Sequence, residues 1–484
     1  MRKQMKMLLI KSVEKAAAAG LWKPMFPVIE KYLKKLIIEQ GSKEMFSERE
    51  REDRFYAALG LIKAVLLAYT NASKAIKRQL RRNFENAVLH YEETQDKIRA
   101  YREKYGVNPP YFLTISPTAI CNLNCPDCYA KSTPKTQISL TADEVDWLLK
   151  ANKEEWGNWF VVISGGEPFM WRDGDIDLIE MAKRHQDQFF LVYTNGTLIN
   201  EKTAKRLAEV GNITPAISVE GMREKTDARR GKGVFDKILA AMRRLREHGV
   251  PFGISVTATP DNYREILSDE FLDFFFNEMG VYYMWVFQYM PIGRGITVLR
   301  QVSPEARFWM WKTMHEQIRK RKIFIGDFWN SGTFSHGCIA GARSGGYFYV
   351  DWKGNIYPCV FVPFYKDNIR DIRAKGLSLS DAINSDFFKA IRDWQYKYSY
   401  FVPADRKGNE LLPCFIRDNH KVAHEIFVKY NAKAYDEESQ QIILDPLYYE
   451  QMLKYNEECR KIFDPIWEKL YRPAEVKEKE VSLA

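Results

Sequence analysis

Three cysteines, Cys121, Cys125 and Cys128, lie within eight residues of one short segment and have the spacing C-x3-C-x2-C. Thiolates bind zinc and iron–sulfur clusters, and a closed structural zinc site or an ordinary electron-transfer cluster takes four protein ligands. No fourth cysteine lies nearby in the sequence. The triad therefore predicts a [4Fe-4S] cluster with one iron left open to another molecule, although half of a zinc site would show the same residues.

A Gly-Gly-Glu-Pro motif follows the triad along the chain. The run FVVISGGEP begins with β-branched and aromatic residues, which favour a strand, and ends at residues 165–168. Glycine has no Cβ and lets the backbone come close to another group. A plain turn between a strand and a helix would look similar, but the position of the motif after the triad favours a loop that binds a small ligand.

Further strands follow at the spacing of repeated strand–helix units. FFLVYTNGT contains Asn195 at its end, NITPAISVEG ends near Ser218, and FGISVTATPDN contains Thr257. Alternation of this kind predicts a parallel α/β architecture. The carboxyl ends of the strands should then form one edge, where active sites of such folds lie.

Taken together, the triad, the Gly-Gly-Glu-Pro motif and the later strand ends resemble the radical S-adenosylmethionine (SAM) superfamily. The resemblance implies a partial (βα)6 barrel and a SAM molecule chelated by the open iron. It also implies reductive cleavage of SAM to a 5′-deoxyadenosyl radical, which abstracts hydrogen from an unactivated C–H bond, and a reductant such as flavodoxin or ferredoxin as a partner.

The same resemblance implies which residues bind SAM. The motif at 165–168 contacts the SAM amino group, and Ser218 with Arg229 or Arg230 contacts the ribose and the carboxylate, since a guanidinium can bind a carboxylate through two hydrogen bonds. In many relatives an aromatic residue precedes the third cysteine, whereas this chain has Asp127. The predicted SAM-binding residues are Gly165, Gly166, Glu167, Pro168, Asn195, Ser218, Arg229, Arg230 and Thr257.

A second group of cysteines begins with Cys338, which is followed by Gly354 and Cys359 in a segment that predicts a β-hairpin. The pattern resembles the SPASM and twitch extensions of radical SAM enzymes, but the full SPASM cysteine run is missing. The resemblance implies a twitch-like domain with one auxiliary [4Fe-4S] cluster on Cys338, Cys359 and Cys414. His336 and Asp418 are weak candidates for a fourth ligand, Cys459 is expected to be unligated, and a small zinc clasp is the alternative.

Four regions are predicted from composition and motifs. They are a basic helical region that contacts a membrane surface or packs on the barrel (1–107), the radical SAM partial barrel (108–325), the twitch-like domain (326–430) and a helical C-terminal extension with a tail (431–484). The excess of +10 charges comes entirely from residues 1–110. A basic segment of this kind suits an anionic surface.

The apolar run from Phe55 to Thr70 would span about 24 Å as a helix, which is less than the roughly 30 Å of a bilayer core. The run also contains Lys63. It is therefore predicted to lie at a membrane surface rather than to cross a bilayer, with packing on the barrel as the alternative. The absence of an apolar signal segment and the cluster-type cysteines predict a cytoplasmic protein. A peripheral position on the inner face of the membrane is compatible with this prediction.

The predicted substrate is a membrane lipid acyl chain, for instance in the joining of lipid tails, because the basic, apolar N-terminal region suits a membrane surface. Peptide or protein modification is the alternative within the same enzyme class, and assembly of a small-molecule cofactor is another. The non-enzyme alternative is a zinc-binding structural or nucleic-acid-binding protein, although nucleic acid is not expected as a partner. Gln288, on a strand with Tyr283, Trp285 and Phe287, is a candidate polar residue near the site.

Overall fold

The structure is a computed structural model. It describes residues 22–89 and 91–472, and for residues 83–92 it does not describe the side chains. The first part of the predicted basic region, residues 1–21, and the tail after residue 472 lie outside the described residues. Among those described, no helix is long and apolar enough to cross a membrane.

One large sheet forms the centre of the molecule. In chain order the strands are β1 (Phe112–Ile115), β2 (Phe160–Ile163), β3 (Arg172–Asp173), β4 (Ile176–Asp177), β5 (Phe189–Thr194), β6 (Ile213–Ser218), β7 (Gly253–Ala258), β8 (Tyr283–Gln288), β9 (Phe324–Asp327), β10 (Tyr347–Val350), β11 (Asn355–Tyr357), β12 (Phe364–Tyr365), β13 (Asp367–Asn368) and β14 (Lys433–Ala434). In the part of the chain that the structure describes, the large sheet has ten strands in the order β13-β11-β10-β1-β2-β5-β6-β7-β8-β9. All neighbouring pairs from β10 to β9 are parallel.

The sheet is curved into an open barrel. The rings of Tyr193 on β5 and Phe287 on β8 are three strands apart in the sheet, yet their centroids are 5.4 Å apart. Phe328, just after β9, lies 6.3 Å from Tyr347 on β10, although β9 and β10 are at distant positions in the strand order. Side chains on the concave face therefore meet across the interior, which confirms the predicted partial barrel.

Helices cover the convex face. They are α1 (Trp22–Lys34), α2 (Glu48–Asn71), α3 (Lys74–Leu89), α4 (Tyr91–Tyr105), α5 (Ala142–Glu154), α6 (Leu178–Arg184), α7 (Glu201–Val210), α8 (Arg223–Arg230), α9 (Val234–Glu247), α10 (Asp269–Leu272), α11 (Pro304–Arg321), α12 (Gly332–Ser335), α13 (Ile369–Ala374), α14 (Leu379–Ile383), α15 (Asp386–Tyr398), α16 (His420–Lys429), α17 (Glu437–Leu444) and α18 (Pro446–Leu470). Strand β8 shows the effect of this cover: Met284 and Val286 on its convex face are fully buried, whereas the alternating residues on its concave face are half-buried.

The N-terminal helices pack against the amino-terminal ends of the strands. The backbone N–H of Ser73 donates to the carbonyl of Gly249, four residues before β7, over 2.9 Å. The Lys63 ammonium donates to the carbonyl of Arg321, shortly before β9, over 2.8 Å. The described part of the predicted basic region therefore contributes to the base of the barrel, and its helical character is confirmed.

The predicted hairpin around Gly354 is present as β10 and β11, with Gly354 at a φ of 81° in the turn. Strand β10 also pairs in parallel with β1, Phe112 opposite Tyr347. The large sheet thus extends across the predicted domain boundary at residue 325, and the division of the chain into four regions stays a prediction.

Gly60 lets α2 approach the start of β9, and its replacement by Ala tests this contact. The added Cβ would lie 2.6 Å from the carbonyl oxygen of Ile323. Alanine favours a helix over glycine by about 1 kcal/mol, but the obstructing atoms are backbone. We therefore expect the free energy of unfolding to fall by about 1–3 kcal/mol in chemical denaturation. The control Leu61→Ala, at a side chain that is 48% exposed, should change it by less than about 1 kcal/mol; an undiminished stability of G60A would contradict this packing.

Candidate active site at the carboxyl ends of the strands

The segment with the first three cysteines leaves β1 at its carboxyl end and forms a loop. Backbone hydrogen bonds close it at its base, from Ala119 to Ile138 over 3.0 Å and from Leu140 to Pro117 over 2.8 Å. None of the three cysteines is in a disulfide, and all are half-buried. The cysteine loop, defined as residues 116–140, therefore presents three thiols near its tip.

The Gly-Gly-Glu-Pro motif packs directly against the cysteine loop. The N–H of Gly166 donates to Thr118 over 2.9 Å, and the N–H of Glu167 donates to Ile120 over 2.8 Å. A Cβ on Gly166 would collide with the carbonyl oxygen of Ile120, and Gly165 has a φ of 118°. From the sequence, these glycines are expected to admit a ligand; in the structure they first allow two loops of the chain to approach each other.

Glu167 and Asn195 connect the cysteine loop to β5. The fully buried Glu167 carboxylate accepts hydrogen bonds from the Thr194 hydroxyl over 2.7 Å and from the backbone N–H of Asn195 over 2.8 Å. Burial raises the pKa of Glu167, and these two bonds oppose that rise. The Asn195 amide donates to Asn122 over 2.8 Å and lies 3.8 Å from the Cys121 sulfur.

Burial favours the neutral thiol at Cys121, although two N–H donors point to its sulfur. Burial raises the pKa of Cys121 to about 12, and the negative charges of Glu167 and Cys128 add to this effect. The backbone N–H of Leu123 points to its sulfur over 3.4 Å. A bound metal centre would reverse the effect of burial, because it deprotonates the thiols that ligate it.

The distance expected between the three sulfurs depends on whether the cysteines bind a cluster or a single metal ion. In a four-iron cluster each thiolate binds a different iron, so the sulfurs are further apart than around a single ion. Within residues 22–89 and 91–472, no group of three or more His, Cys, Asp or Glu side chains is close enough to hold one metal ion. The donor type and the shared loop fit a cluster.

A network of four charged groups lies beside the loop. The buried Glu220 carboxylate pairs with Arg229 over 2.6 Å and with Arg230 over 2.5 Å, and Arg229 also pairs with Asp127 over 2.7 Å. Burial opposes ionisation of Asp127, but Arg229 and Arg300 hold the pKa of its carboxyl below the usual value. Asp127, the residue that departs from the family pattern, thus fastens the cysteine loop to α8.

The two arginines predicted to bind the SAM carboxylate therefore already contact carboxylates of the chain. Burial of the Arg229 guanidinium opposes its charge, yet Glu220 and Asp127 raise its pKa above the usual value. Ser218 and Thr257 lie half-buried nearby: the Ser218 hydroxyl is 3.3 Å from that of Ser255, and the N–H of Thr257 donates to Glu220 over 3.1 Å.

A segment that the sequence analysis missed, residues 293–300, also holds the cysteine loop. The backbone N–H of Arg294 donates to Cys128 over 3.0 Å, and its guanidinium donates to the carbonyls of Cys125 and Ser132. Arg300 lies 3.4 Å from Asp127. The only signal in the sequence was the Gly-Arg-Gly run after β8, which reads as an ordinary loop.

Aromatic side chains fill the space between the two groups of cysteines. Phe361, after β11, lies 6.2 Å from Tyr129 beside the triad, 5.7 Å from Phe287 and 5.8 Å from Phe328. Gln288 is on the opposite face of β8, where it is buried and donates to Asp327 over 2.9 Å. The accessible face is therefore aromatic, and the predicted polar residue lies beneath the helices.

The second group of cysteines comes together from three separate segments. The Tyr347 hydroxyl lies 2.9 Å from the Cys359 sulfur, and burial raises the pKa of Cys359 to about 12. Burial also raises the pKa of Cys414, with further contributions from the negative charges of Asp418 and Cys338. All three cysteines are half-buried and outside disulfides.

The other side chains near this group differ in how far they are engaged. Arg307 holds both carboxylate oxygens of Asp418, over 2.5 Å and 3.1 Å. Cys459 is fully buried among the aromatic residues of α11 and α18. The ring of His336 packs 4.7 Å from that of Phe46, but its buried Nε2, 3.8 Å from Glu410, has no hydrogen-bond partner within the described residues. A ligand role for His336 therefore stays a prediction.

Comparison with known proteins agrees with this geometry. Residues 115–270, from the end of β1 to the start of α10, match the family model of the Radical SAM superfamily. The chain therefore contains a radical SAM domain. Enzymes of this superfamily use a [4Fe-4S] cluster and SAM, which confirms the predicted enzyme class and its first cofactors.

Relatives extend the similarity beyond that segment. The chain is 28% identical over 315 residues to the AdoMet-dependent heme synthase of Methanosarcina barkeri, across 59% of this chain and 86% of that protein. It is 27% identical over 303 residues to the mycofactocin maturase MftC of Mycolicibacterium smegmatis, across 60% of this chain and 74% of that one. Streptococcus suis SuiB, solved bound to S-adenosylmethionine, has 19% identity and a TM-score of 0.51, over 65% of this chain and 78% of SuiB. At that identity SuiB supports the radical SAM fold alone.

Replacing Gly166 with Ala tests the contact that holds the cysteine loop. The new Cβ would force Ile120 away, and overpacking of this kind costs about 1–3 kcal/mol. We expect anaerobically reconstituted G166A to bind less iron and to cleave SAM at least about tenfold more slowly, the factor that 1.4 kcal/mol represents. Gly174→Ala is the control, because a Cβ at Gly174 meets nothing within 4 Å; equal losses in both variants would contradict the role of the contact.

Proposed function

We propose that this radical SAM enzyme binds its catalytic cluster at Cys121, Cys125 and Cys128 and binds SAM over the carboxyl ends of β2, β5, β6 and β7. The observation that carries the proposal is the close packing of the cysteine loop on the Gly-Gly-Glu-Pro motif. When bound, the cluster and SAM supply a 5′-deoxyadenosyl radical that takes hydrogen from a C–H bond of the substrate.

The chain's own groups give this site its polarity. Asn195 directs its amide toward Cys121, which favours the thiolate form. The half-buried hydroxyls of Ser218 and Thr257 supply hydrogen-bonding groups at the ends of β6 and β7. Arg229 and Arg230 already pair with carboxylates of the chain, so an arginine that binds the SAM carboxylate must bind it alongside these internal partners. We infer that one arginine contacts SAM while the internal pairs orient its guanidinium.

We further propose a second [4Fe-4S] cluster on Cys338, Cys359 and Cys414, without Asp418 as a ligand. Its support is the convergence of three half-buried thiols from three segments, one of which lies 2.9 Å from the Tyr347 hydroxyl. Aromatic rings separate this group from the first triad. A substrate seated on these rings would lie between the two centres.

Cysteine variants test the two centres separately. Reconstituted wild type should bind about eight irons, as two four-iron clusters imply, and Cys125→Ala and Cys359→Ala about four each. Cys125→Ala should form no 5′-deoxyadenosine from SAM, whereas Cys359→Ala should retain part of that activity. Cys459→Ala, at a cysteine packed among aromatic side chains, is the matched control and should keep about eight irons. A colourless protein loaded with zinc would contradict the proposal.

For the substrate, we propose a tetrapyrrole or a similarly planar, apolar molecule. The half-buried rings of Tyr193, Phe287 and Phe328 line the concave face. Stacking between aromatic groups contributes about 0.5–1.5 kcal/mol per pair. The heme synthase relative, 86% of whose length the chain covers, supports this choice.

A peptide is the second candidate, because a groove of about 300 Å³ lies beside the segment that holds the cysteine loop. Leu299 and Leu447 at this groove are 85% and 59% exposed, and Glu438 and Asp445 add negative charge. Such a groove suits an extended segment with apolar and basic side chains. The lipid acyl chain predicted from the sequence has no support from the relatives described above.

Substrate classes can be compared directly with the reconstituted enzyme, SAM and dithionite. An iron porphyrin with carboxylate side chains, a library of apolar and basic peptides and phospholipid vesicles are supplied separately. We expect that, of the three, only the porphyrin raises 5′-deoxyadenosine formation by at least about tenfold. Deuterium from labelled porphyrin should appear in the 5′-deoxyadenosine. Stimulation by a peptide would favour the second candidate, and stimulation by vesicles would restore the lipid hypothesis.

A further inference from the structure

We propose that helix α1 forms a docking surface for an anionic lipid membrane. Its outward face carries Met25, Val28, Tyr32 and, one turn further, Leu36, which are 46%, 67%, 66% and 48% exposed. These residues recur at the spacing of one helical face. We call them the apolar stripe; a stripe of large exposed side chains is a feature of interaction surfaces.

The opposite face of α1 is already occupied, so the stripe is not needed to hold the helix. Trp22 packs on Leu66 of α2, and its indole N–H donates to Thr70 over 3.1 Å. Phe26 joins the same cluster and lies beneath the ammonium of Lys322. Helix α1 is thus fixed to the protein through one face while its other face remains apolar and exposed.

The exposed charges near the apolar stripe favour an anionic partner. Lys23, Lys31, Lys34 and Lys35 lie on the same helical segment as the stripe, all exposed, and within the described residues none of them forms an ion pair. The acidic Glu30 of α1 is neutralised by Lys322 over 2.6 Å, which leaves Glu39, in the helical continuation Lys35–Glu39, as an exposed acid. Exposed apolar side chains on a segment with several lysines match an anionic lipid surface, to which each lysine near the headgroups contributes about 1 kcal/mol.

The neighbouring helix α2 also has exposed apolar side chains. Leu61 and Val65, one turn apart, are 48% and 50% exposed. They follow the buried residues Leu59 and Ala64 that face the protein. Helix α2 therefore adds exposed apolar surface to the same helical region.

The surface is independent of the catalytic site. The contacts that hold α1 are at Lys322, before the amino-terminal end of β9, whereas the cysteine loop follows the carboxyl end of β1. Docking through α1 therefore places the cysteine loop at the edge of the sheet away from the lipid. This proposal concerns location and stands whichever substrate the enzyme uses.

Flotation of the full chain with vesicles tests the proposal. Vesicles of phosphatidylglycerol and phosphatidylcholine at low salt should carry the protein, whereas pure phosphatidylcholine or high salt should reduce the bound fraction. Changing Met25, Val28, Tyr32 and Leu36 to Ser, or the four lysines to Gln, should each weaken binding at least about tenfold. The matched control changes four similarly exposed apolar residues elsewhere to Ser: Tyr111, Leu377, Val428 and Leu470.

The outcomes are distinguishable. The stripe variant should keep the wild-type melting temperature and rate of SAM cleavage, which separates docking from folding and catalysis. If wild type fails to float on anionic vesicles, or if the control variant loses binding as strongly as the stripe variant, the proposal is wrong. If the stripe variant instead converts a dimer into a monomer in solution without an effect on vesicle binding, the surface is an interface between copies of the chain.

Discussion

The contact between the Gly-Gly-Glu-Pro motif and the cysteine loop is the constraint on which the site depends. A loop with three thiols has no fixed shape of its own, and here two backbone hydrogen bonds from Gly166 and Glu167 seat it on the edge of the sheet. No other residue fits at position 166, because any side chain would meet the carbonyl of Ile120. The position of the thiols therefore follows from the sheet rather than from the loop sequence.

Polar and charged side chains hold the cysteine loop in addition to these backbone hydrogen bonds. The carboxylate of Glu167 is buried without a charged partner in direct contact and relies on hydrogen bonds from β5, whereas Asp127 is balanced by two arginines. A buried unpaired charge costs several kcal/mol. The loop is thus held on one side through Glu167, which accepts from neutral donors at β5, and on the other through Asp127, which pairs with arginines of α8 and of the segment 293–300.

The sequence allowed the fold class, the cysteine loop and the hairpin at Gly354 to be predicted, because each depends on local spacing or on strand periodicity. It did not reveal that Arg229 pairs with Asp127, because those residues belong to segments far apart in the chain, nor that Arg229 and Arg230 turn back to the nearby Glu220. It also missed the role of Arg294, whose contacts exist only once β8 and β1 lie at the same edge. The alternation along β8 separates Gln288 from Tyr283, Trp285 and Phe287. It does not show that the face of Gln288 is the convex one, which the helices cover.

The pairing of β10 with β1 has a consequence for how such an enzyme can change. Phe112 lies opposite Tyr347, so the strands that lead to the two groups of cysteines are neighbours joined by backbone hydrogen bonds. Moving one group relative to the other along the strands would need a shift of register, and a shift by one residue turns every side chain to the other face. The smallest shift that keeps the faces is two residues, about 6.6 Å. The register of β1 and β10 can therefore change only in discrete steps. Gradual adjustment of the space between the two groups of cysteines is left to the side chains that line it.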